Sequence, residues 1–403
     1  MTAFVQKRKF LVAAFLLAMT FCNLTLLFRV MPLLKNGYQD FTIFYTAARL
    51  LRSGQASALY NLATQYRMQL TFTHVPIRQG PLPFNHPPFE ALLFLPFTRL
   101  EYWPAYLLWT ALNLIMLAVS VTLLRRHFSQ FAAVPPLILG LGATAFYPVA
   151  MGIIQGQDMI LLLLLFVLAV IRLDRGNDAV AGALLAACLF RPQLALPLVV
   201  LLAIRRWRVF VGFVPVAFVL AGISVVIVGW RGLLDYARFV LRLEATPAAR
   251  AFGPESVPNL RGLVEQLVPG FISSGAVIAL LICASSVVVF LVAMRRIHHG
   301  RDSIIYLSSL AAVTTILVSF HALVYDLCLL LPMSLCLLSR TVDVGEKEKK
   351  LDARVFLLVV LMFLAPLHML LWLVVDRYFW FSLVLLWLYL RLVLAPAPAE
   401  VPA

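Results

Sequence analysis

A small set of polar side chains carries the chemistry this largely apolar chain can offer. Asp40 lies just beyond an apolar run from Phe10 to Leu34 that holds one charge, Arg29, and it opens Asp40-Phe41-Thr42-Ile43-Phe44-Tyr45. A carboxylate at the water's edge of a bilayer, followed by an aromatic-rich helical run, suits a general base working on a lipid-linked substrate. Its structural use would be to cap that helix, since Asp before a helical run is a favoured N-cap. Arg191, in Arg191-Pro192-Gln193, interrupts an apolar region. A guanidinium there fits a phosphate through charge-assisted hydrogen bonds, or else marks a hairpin tip and snorkels outward.

Gln157 and Asp158 begin an apolar segment, where they could serve an anionic ligand or simply suit the helix dipole. His86 stands in Asn85-His86-Pro87-Pro88-Phe89, Asn259 ends Ser256-Val257-Pro258-Asn259, and His321 lies between two apolar runs. Asp326, one turn and a bit beyond His321 on the same predicted helix face, needs a partner if it lies in lipid; it and Tyr325 have no assigned role. No dense Asp cluster implies an obligatory metal site, so no metal and no cofactor is expected. The five cysteines, Cys22, Cys188, Cys283, Cys328 and Cys336, all fall in apolar segments without metal-ligand spacing, and point to neither disulfides nor redox chemistry.

The elements that must position these residues are helices in a bilayer. The hydrophobic fraction is 63% and only 13% of residues are charged, where soluble domains carry about 25%. Twelve apolar segments follow one another: 10–34, 103–124, 134–153, 157–172, 179–190, 194–204, 209–229, 274–294, 303–320, 322–339, 354–375 and 378–394. At about 1.5 Å per residue most reach across a bilayer. The expected fold is an all-α polytopic membrane protein with about 12 transmembrane helices in a single integral domain, residues 1–394. Two outer-side regions, 35–101 and 230–273, interrupt it, and a disordered Ala-Pro tail, 395–403, ends it. Within the first region the ten residues to Thr98 are too short to span; the second, with Leu233, Tyr236, Phe239, Val240 and Leu243 at near-helical spacing, predicts a surface amphipathic helix.

Charge fixes the expected orientation. Lys7-Arg8-Lys9 precede the first segment, and with the N-terminus inside, 19 of the 33 Lys and Arg fall at inner segment ends. Eleven lie in the two long outer regions and only three at other outer positions, a strong positive-inside bias. This holds only if 179–204 turns back on itself at Arg191-Pro192, where proline denies the helix an N–H. The net charge of +15 is then a matter of topology and lipid headgroups rather than of nucleic acid. On this topology Asp40, His86, Gln157, Asp158, Arg191, Asn259 and His321 all reach the outer side.

Several of these motifs together resemble glycosyltransferase family 87: Asp40-Phe41 with Phe44-Tyr45, Ala47-Ala48, Gly54 and Leu59-Tyr60; His86-Pro87-Pro88 with Leu95-Pro96; Gly156-Gln157; and Gly182 leading to Arg191-Pro192-Gln193 and Arg205-Arg206-Trp207-Arg208. The motifs keep family order from about residue 38 to residue 332. The resemblance implies a GT-C type enzyme that takes a sugar, usually mannose, from a polyprenyl-phosphate carrier on the non-cytoplasmic side, with a lipid or glycan hydroxyl as acceptor. It further implies a bacterial inner (plasma) membrane location, an active site facing the periplasm or exterior, Asp40 as the base, and Arg191, His321, Gln157, Asp158, His86 and Asn259 at the donor. The chain departs from the family pattern twice, with Arg191 where Lys is common and Asp158 where Asn is common. A lipid-linked-sugar flippase is the rival reading; it would share the hydrophobicity and the broken helix, whereas the two large outer regions and the lack of internal repeats speak against it.

Overall fold

The computed structural model describes residues 3–73, 80–245, 253–272, 274–300, 302–342 and 352–394, and among these there are helices and turns but no strand. The predicted tail, 395–403, lies outside the described residues. The helices are α1 (Ala3–Lys35), α2 (Phe41–Arg52), α3 (Leu62–Gln69), α4 (Glu90–Phe94), α5 (Tyr102–His127), α6 (Ser129–Ala132), α7 (Pro136–Ala145), α8 (Tyr147–Gln155), α9 (Met159–Asp174) and α10 (Asp178–Ala187). They continue as α11 (Pro192–Ala203), α12 (Arg208–Ala245), α13 (Leu260–Leu267), α14 (Gly275–His299), α15 (Ile304–Val318), α16 (Leu331–Val342), α17 (Ala353–Phe363), α18 (Ala365–Met369) and α19 (Phe381–Leu394).

Each predicted apolar segment is helical. By length and composition five helices are able to cross a membrane, and two bent pairs, α7–α8 at 61° and α17–α18 with its extension at 54°, bring this to as many as seven. Shorter apolar helices, among them Asp178–Phe190 and Pro192–Ala203, make up the rest of the apolar structure. The surface of α1 exposes Phe10, Leu17, Phe21 and Phe28, and that of α12 exposes Phe218 and Val226. Contiguous apolar surface of this kind is stable only against lipid, so this is an integral membrane protein. By contrast α15 is buried on every side from Ile305 to Leu317, which makes it a central strut.

The bundle has two distinct polar ends. At one, Arg206 binds the Leu173 carbonyl at 2.6 Å and Asp178 at 2.8 Å, Arg205 reaches the Gly300 carbonyl at 2.6 Å, and His127 meets Asp174 at 2.8 Å. Arg296–Asp302 and Arg391–Asp352, each at 2.8 Å, join residues assigned by charge to that same inner side. Arg191 lies at the other end, near Asp40. The chain therefore leaves the Asp178 end, turns at Arg191 and returns to Arg206, which is the hairpin that the charge count required. Two glycines hold it in place: a Cβ on Gly182 of α10 would overlap the Val209 carbonyl of α12, and one on Gly212 would overlap the Ala179 carbonyl. Small residues at a crossing let two backbones touch, the usual basis of close helix packing in membranes.

One expectation needs correction. His321 and Asp326 do not share a helix face, because the helix α15 ends at Val318 and residues 319–323 form a non-helical bend before a 3₁₀ turn at Val324–Leu330. The region from Trp230 is the amphipathic helix expected there: a kink at Gly229 (φ 71°, ψ 171°) divides α12 into two helices, and the second turns Leu233, Tyr236, Phe239, Val240 and Leu243 inward while Asp235, Arg238 and Arg242 stay exposed.

Candidate active site

At the Arg191 end, segments distant in sequence enclose a cavity of about 310 Å³, lined among others by Asp40, Asn85, His86, Gln157, Arg191, Gln193, Tyr236, Val240, His321 and Tyr325. Its size falls in the range of small-molecule sites, roughly 300–1,000 Å³. Five of the seven candidate residues line it. The other two, Asp158 and Asn259, support it from behind.

Local backbone chemistry sets the polar wall. Helix α8 ends at Gly156, whose φ of 62° is left-handed, and the chain closes with Gln157 N–H on the Gly152 carbonyl at 2.8 Å and Gly156 N–H on the Ile153 carbonyl at 3.0 Å. This is a Schellman turn, which favours glycine at that position. Space requires it as well: a Cβ at Gly156 would lie 2.7 Å from the Phe41 Cβ and 3.2 Å from the Tyr106 ring. Trp109 Nε1 fixes the Gly156 carbonyl at 2.9 Å, and Tyr106 the Ile154 carbonyl at 2.9 Å.

The turn presents Gln157 between two charges. Its amide Nε2 donates to Asp40 Oδ2 at 2.6 Å, and its Oε1 accepts from Arg191 Nη2. Arg191 Nε and Nη2 also grip Asp158 Oδ1, at 2.9 and 2.8 Å, and Nη1 lies 3.9 Å from Asp326 Oδ1. Asp326 finds the partner it needed there, and its Oδ2 takes the Leu323 N–H at 2.6 Å. The side chain of Asp40 makes no cap hydrogen bond to α2, although it stands at the helix N-terminus. Half-buried and held by Gln157, its carboxylate belongs to the cavity rather than to the helix.

His86 arrives by a different device. Gln65 and Gln69, both fully buried on α3, clasp the backbone of Phe84 and Leu82: Gln65 Oε1 accepts from Phe84 N–H at 2.8 Å, and Gln69 Oε1 from Leu82 N–H at 3.1 Å. Tyr60 Oη then donates to the His86 carbonyl at 2.8 Å. The His86 ring meets Glu90, one turn on, with Nδ1 2.7 Å from Oε2 and 3.9 Å from Asp158 Oδ2. Burial, then the Arg191 charge, pushes the His86 imidazolium down to about 3, so the ring is neutral. Burial and the Asp158 charge push the Glu90 carboxyl well above the usual range. The sequence reading missed Glu90; its only signal was the four-residue spacing from His86.

Asn259 is a cap: its Oδ1 accepts from the Gly262 N–H at 3.0 Å and its Nδ2 donates to the Ser319 carbonyl. Arg261 donates to the Phe320 carbonyl at 2.9 Å and stacks on the Phe320 ring. Together they clamp the loop that carries His321 to the cavity wall.

A model of glycosyltransferase family 87 matches residues 84–319, more than half of the chain, and this stretch holds every candidate residue except Asp40 and His321. The chain belongs to glycosyltransferase family 87. No curated protein and no solved structure matches it. Family membership makes it a glycosyltransferase with a sugar donor and an acceptor, and does not favour the flippase reading. The two departures from the family pattern, Asp158 and Arg191, are bonded to each other. The added negative charge meets a guanidinium fork able to bind it through two nitrogens, which a lysine would not offer.

Proposed function

We propose that this GT-C type enzyme of about twelve crossings transfers a sugar, mannose, from a polyprenyl-phosphate carrier to a lipid or glycan hydroxyl at the outer membrane face, with inversion. Asp40 takes the acceptor proton as the oxygen attacks the anomeric carbon. A single displacement needs one base rather than the paired carboxylates of retaining sugar chemistry. The phosphate departs toward Arg191 and His321, since stabilising charge that develops in the transition state is commonly the larger catalytic term. Arg191 lines the cavity, and its Nη1, 3.9 Å from Asp326, is not gripped by Asp158.

The observation that carries this reading is a cavity-facing Asp40 carboxylate held by Gln157 and not used to cap α2. The test is transfer by the purified protein from radiolabelled polyprenyl-phosphate sugars to a panel of lipid and glycan acceptors. Product with the opposite anomeric configuration to the donor is expected. Transfer from a nucleotide sugar with none from any polyprenyl-phosphate sugar would overturn the donor class.

A further inference from the structure

Behind the cavity Glu90, Asp158 and Asp326 are at most 1% exposed, and one guanidinium, Arg191, lies beside them and His86. Acidic groups are costly to bury together without compensation. The hydrogen bonding is unbalanced in the same place. Among the described residues no protein donor reaches His86 Nδ1, either Glu90 oxygen, or Asp158 Oδ2. Yet these acceptors converge, with Nδ1 2.7 Å from Glu90 Oε2 and 3.9 Å from Asp158 Oδ2, and one ligand atom of each residue within 4.8 Å of the others. Acceptors converge this closely around shared protons or around a cation. One divalent cation would serve the imidazole and both carboxylates at once.

We propose that His86, Glu90 and Asp158 bind a divalent transition-metal cation of the Mn²⁺ or Zn²⁺ class. One imidazole and two carboxylates form a borderline ligand set suited to these ions, whereas Ca²⁺ wants about six to eight oxygens. Ligand bonds of about 2.0–2.2 Å set neighbouring ligand atoms roughly 3.0–3.5 Å apart, between the two separations observed from Nδ1. Asp158 then bridges, with Oδ2 toward the cation and Oδ1 on Arg191. The ion acts as a positioning group, fixing Asp158 and through it Arg191. Its consequence for donor binding rests on the function proposed above; the binding of the ion does not.

The test uses the full-length protein in detergent, stripped with a chelator, dialysed and titrated with Mn²⁺, with free aqua-ion followed by electron paramagnetic resonance and Zn²⁺ added as competitor. Stoichiometric binding displaced by Zn²⁺ is expected. Glu90→Gln should weaken it by more than the roughly 10–100-fold typical of losing an outer-shell partner. Size-exclusion profiles show whether the variant is folded, and should it not be, the wild-type Mn²⁺ complex still answers: imidazole nitrogen coupling must appear in its spin-echo spectrum. No stoichiometric binding of either ion, binding undiminished in folded Glu90→Gln, or no imidazole coupling would each overturn the proposal. A protonated-carboxyl infrared band lost in Glu90→Gln would identify a shared proton instead. Metal bound without any sugar transfer would remove the proposed reaction and leave this site standing.

Discussion

Replacing Asp40 with Asn separates a catalytic carboxylate from a structural one. The structure allows both effects to be sized. The carboxylate accepts from Gln157 Nε2 at 2.6 Å, and the Asn carbonyl can accept the same bond without its charge. A hydrogen bond to a charged group contributes about 1.5–3 kcal/mol and a neutral one about 0.5–1.5, so the difference is roughly 1 kcal/mol. No cap is lost, because none exists, and the bond from Asp40 N–H to Gln155 Oε1 at 3.2 Å is backbone and survives. Turnover should fall far more. Loss of a positioned base costs about 10²–10⁴-fold, equivalent to roughly 2.7–5.4 kcal/mol of barrier. Transfer rate and melting temperature measured on the same preparation should therefore diverge, with donor affinity retained. Asp40→Glu should also be slow, since one added methylene carries the carboxylate off the Gln157 amide and positioning governs the step. Full turnover in Asp40→Asn, or a rate loss that merely tracks melting, would refute Asp40 as the base.

Asp158→Asn strands a buried guanidinium and should destabilise by about 3–5 kcal/mol, while adding Arg191→Gln recovers part of that loss; melting curves that show the two changes to be additive would dissolve the pair. Gly156→Ala meets a left-handed cost of roughly 1–2 kcal/mol and a clash with Phe41, so melting temperature and transfer rate should fall together, and an unchanged melt would remove the steric argument. Gln157→Glu sets a negative charge against Asp40 and raises its pKa, so the acid limb of the pH–rate profile should move upward by more than about one unit; a slower but unshifted profile would mean that Gln157 acts through shape alone. Trp207→Cys, at an exposed tip between α11 and α12, should resist an impermeant thiol reagent added outside intact cells, and labelling there would reverse the orientation.

The apolar segments, the turn at Arg191 and the gathering of polar residues at one end were legible because bilayer thickness and charge bias act directly on sequence. What was not legible depends on packing. The break between the runs 303–320 and 322–339 was legible, but not its length: residues 319–323, Ser-Phe-His-Ala-Leu, hold no proline or glycine, yet all five leave the helix, with Asn259 and Arg261 holding the carbonyls of Ser319 and Phe320. Asn259 looked like a ligand-binding residue since its role as a cap shows only once α13 is seen to begin at Leu260. Glu90 was hidden in an apolar turn, Glu90-Ala91-Leu92-Leu93-Phe94, and gains meaning only when α9 brings Asp158 to it. The helix end at Gly229 was legible, but not that the helix beyond it carries Tyr236 onto Tyr60, at 5.2 Å between ring centroids.

The identity of residue 157 follows from what lies on either side of it. Toward Asp40 it must donate, and toward Arg191 it must accept. Glu would satisfy Arg191 and repel Asp40; Lys would do the reverse; Asn is one methylene shorter than the bridge that Gln spans. A neutral primary amide offers a donor and an acceptor at one tip, and so connects a carboxylate to a guanidinium without neutralising either. A direct Asp40–Arg191 pair would hold the proposed base against a cation. With the amide between them, and with Asp158 taking the strong bonds of Arg191, Asp40 keeps a carboxylate directed at the cavity. Asp158 and Arg191 fit the same logic: a second carboxylate near the proposed base is tolerable where a guanidinium grips it through two nitrogens, and here Arg191 does so at 2.8 and 2.9 Å.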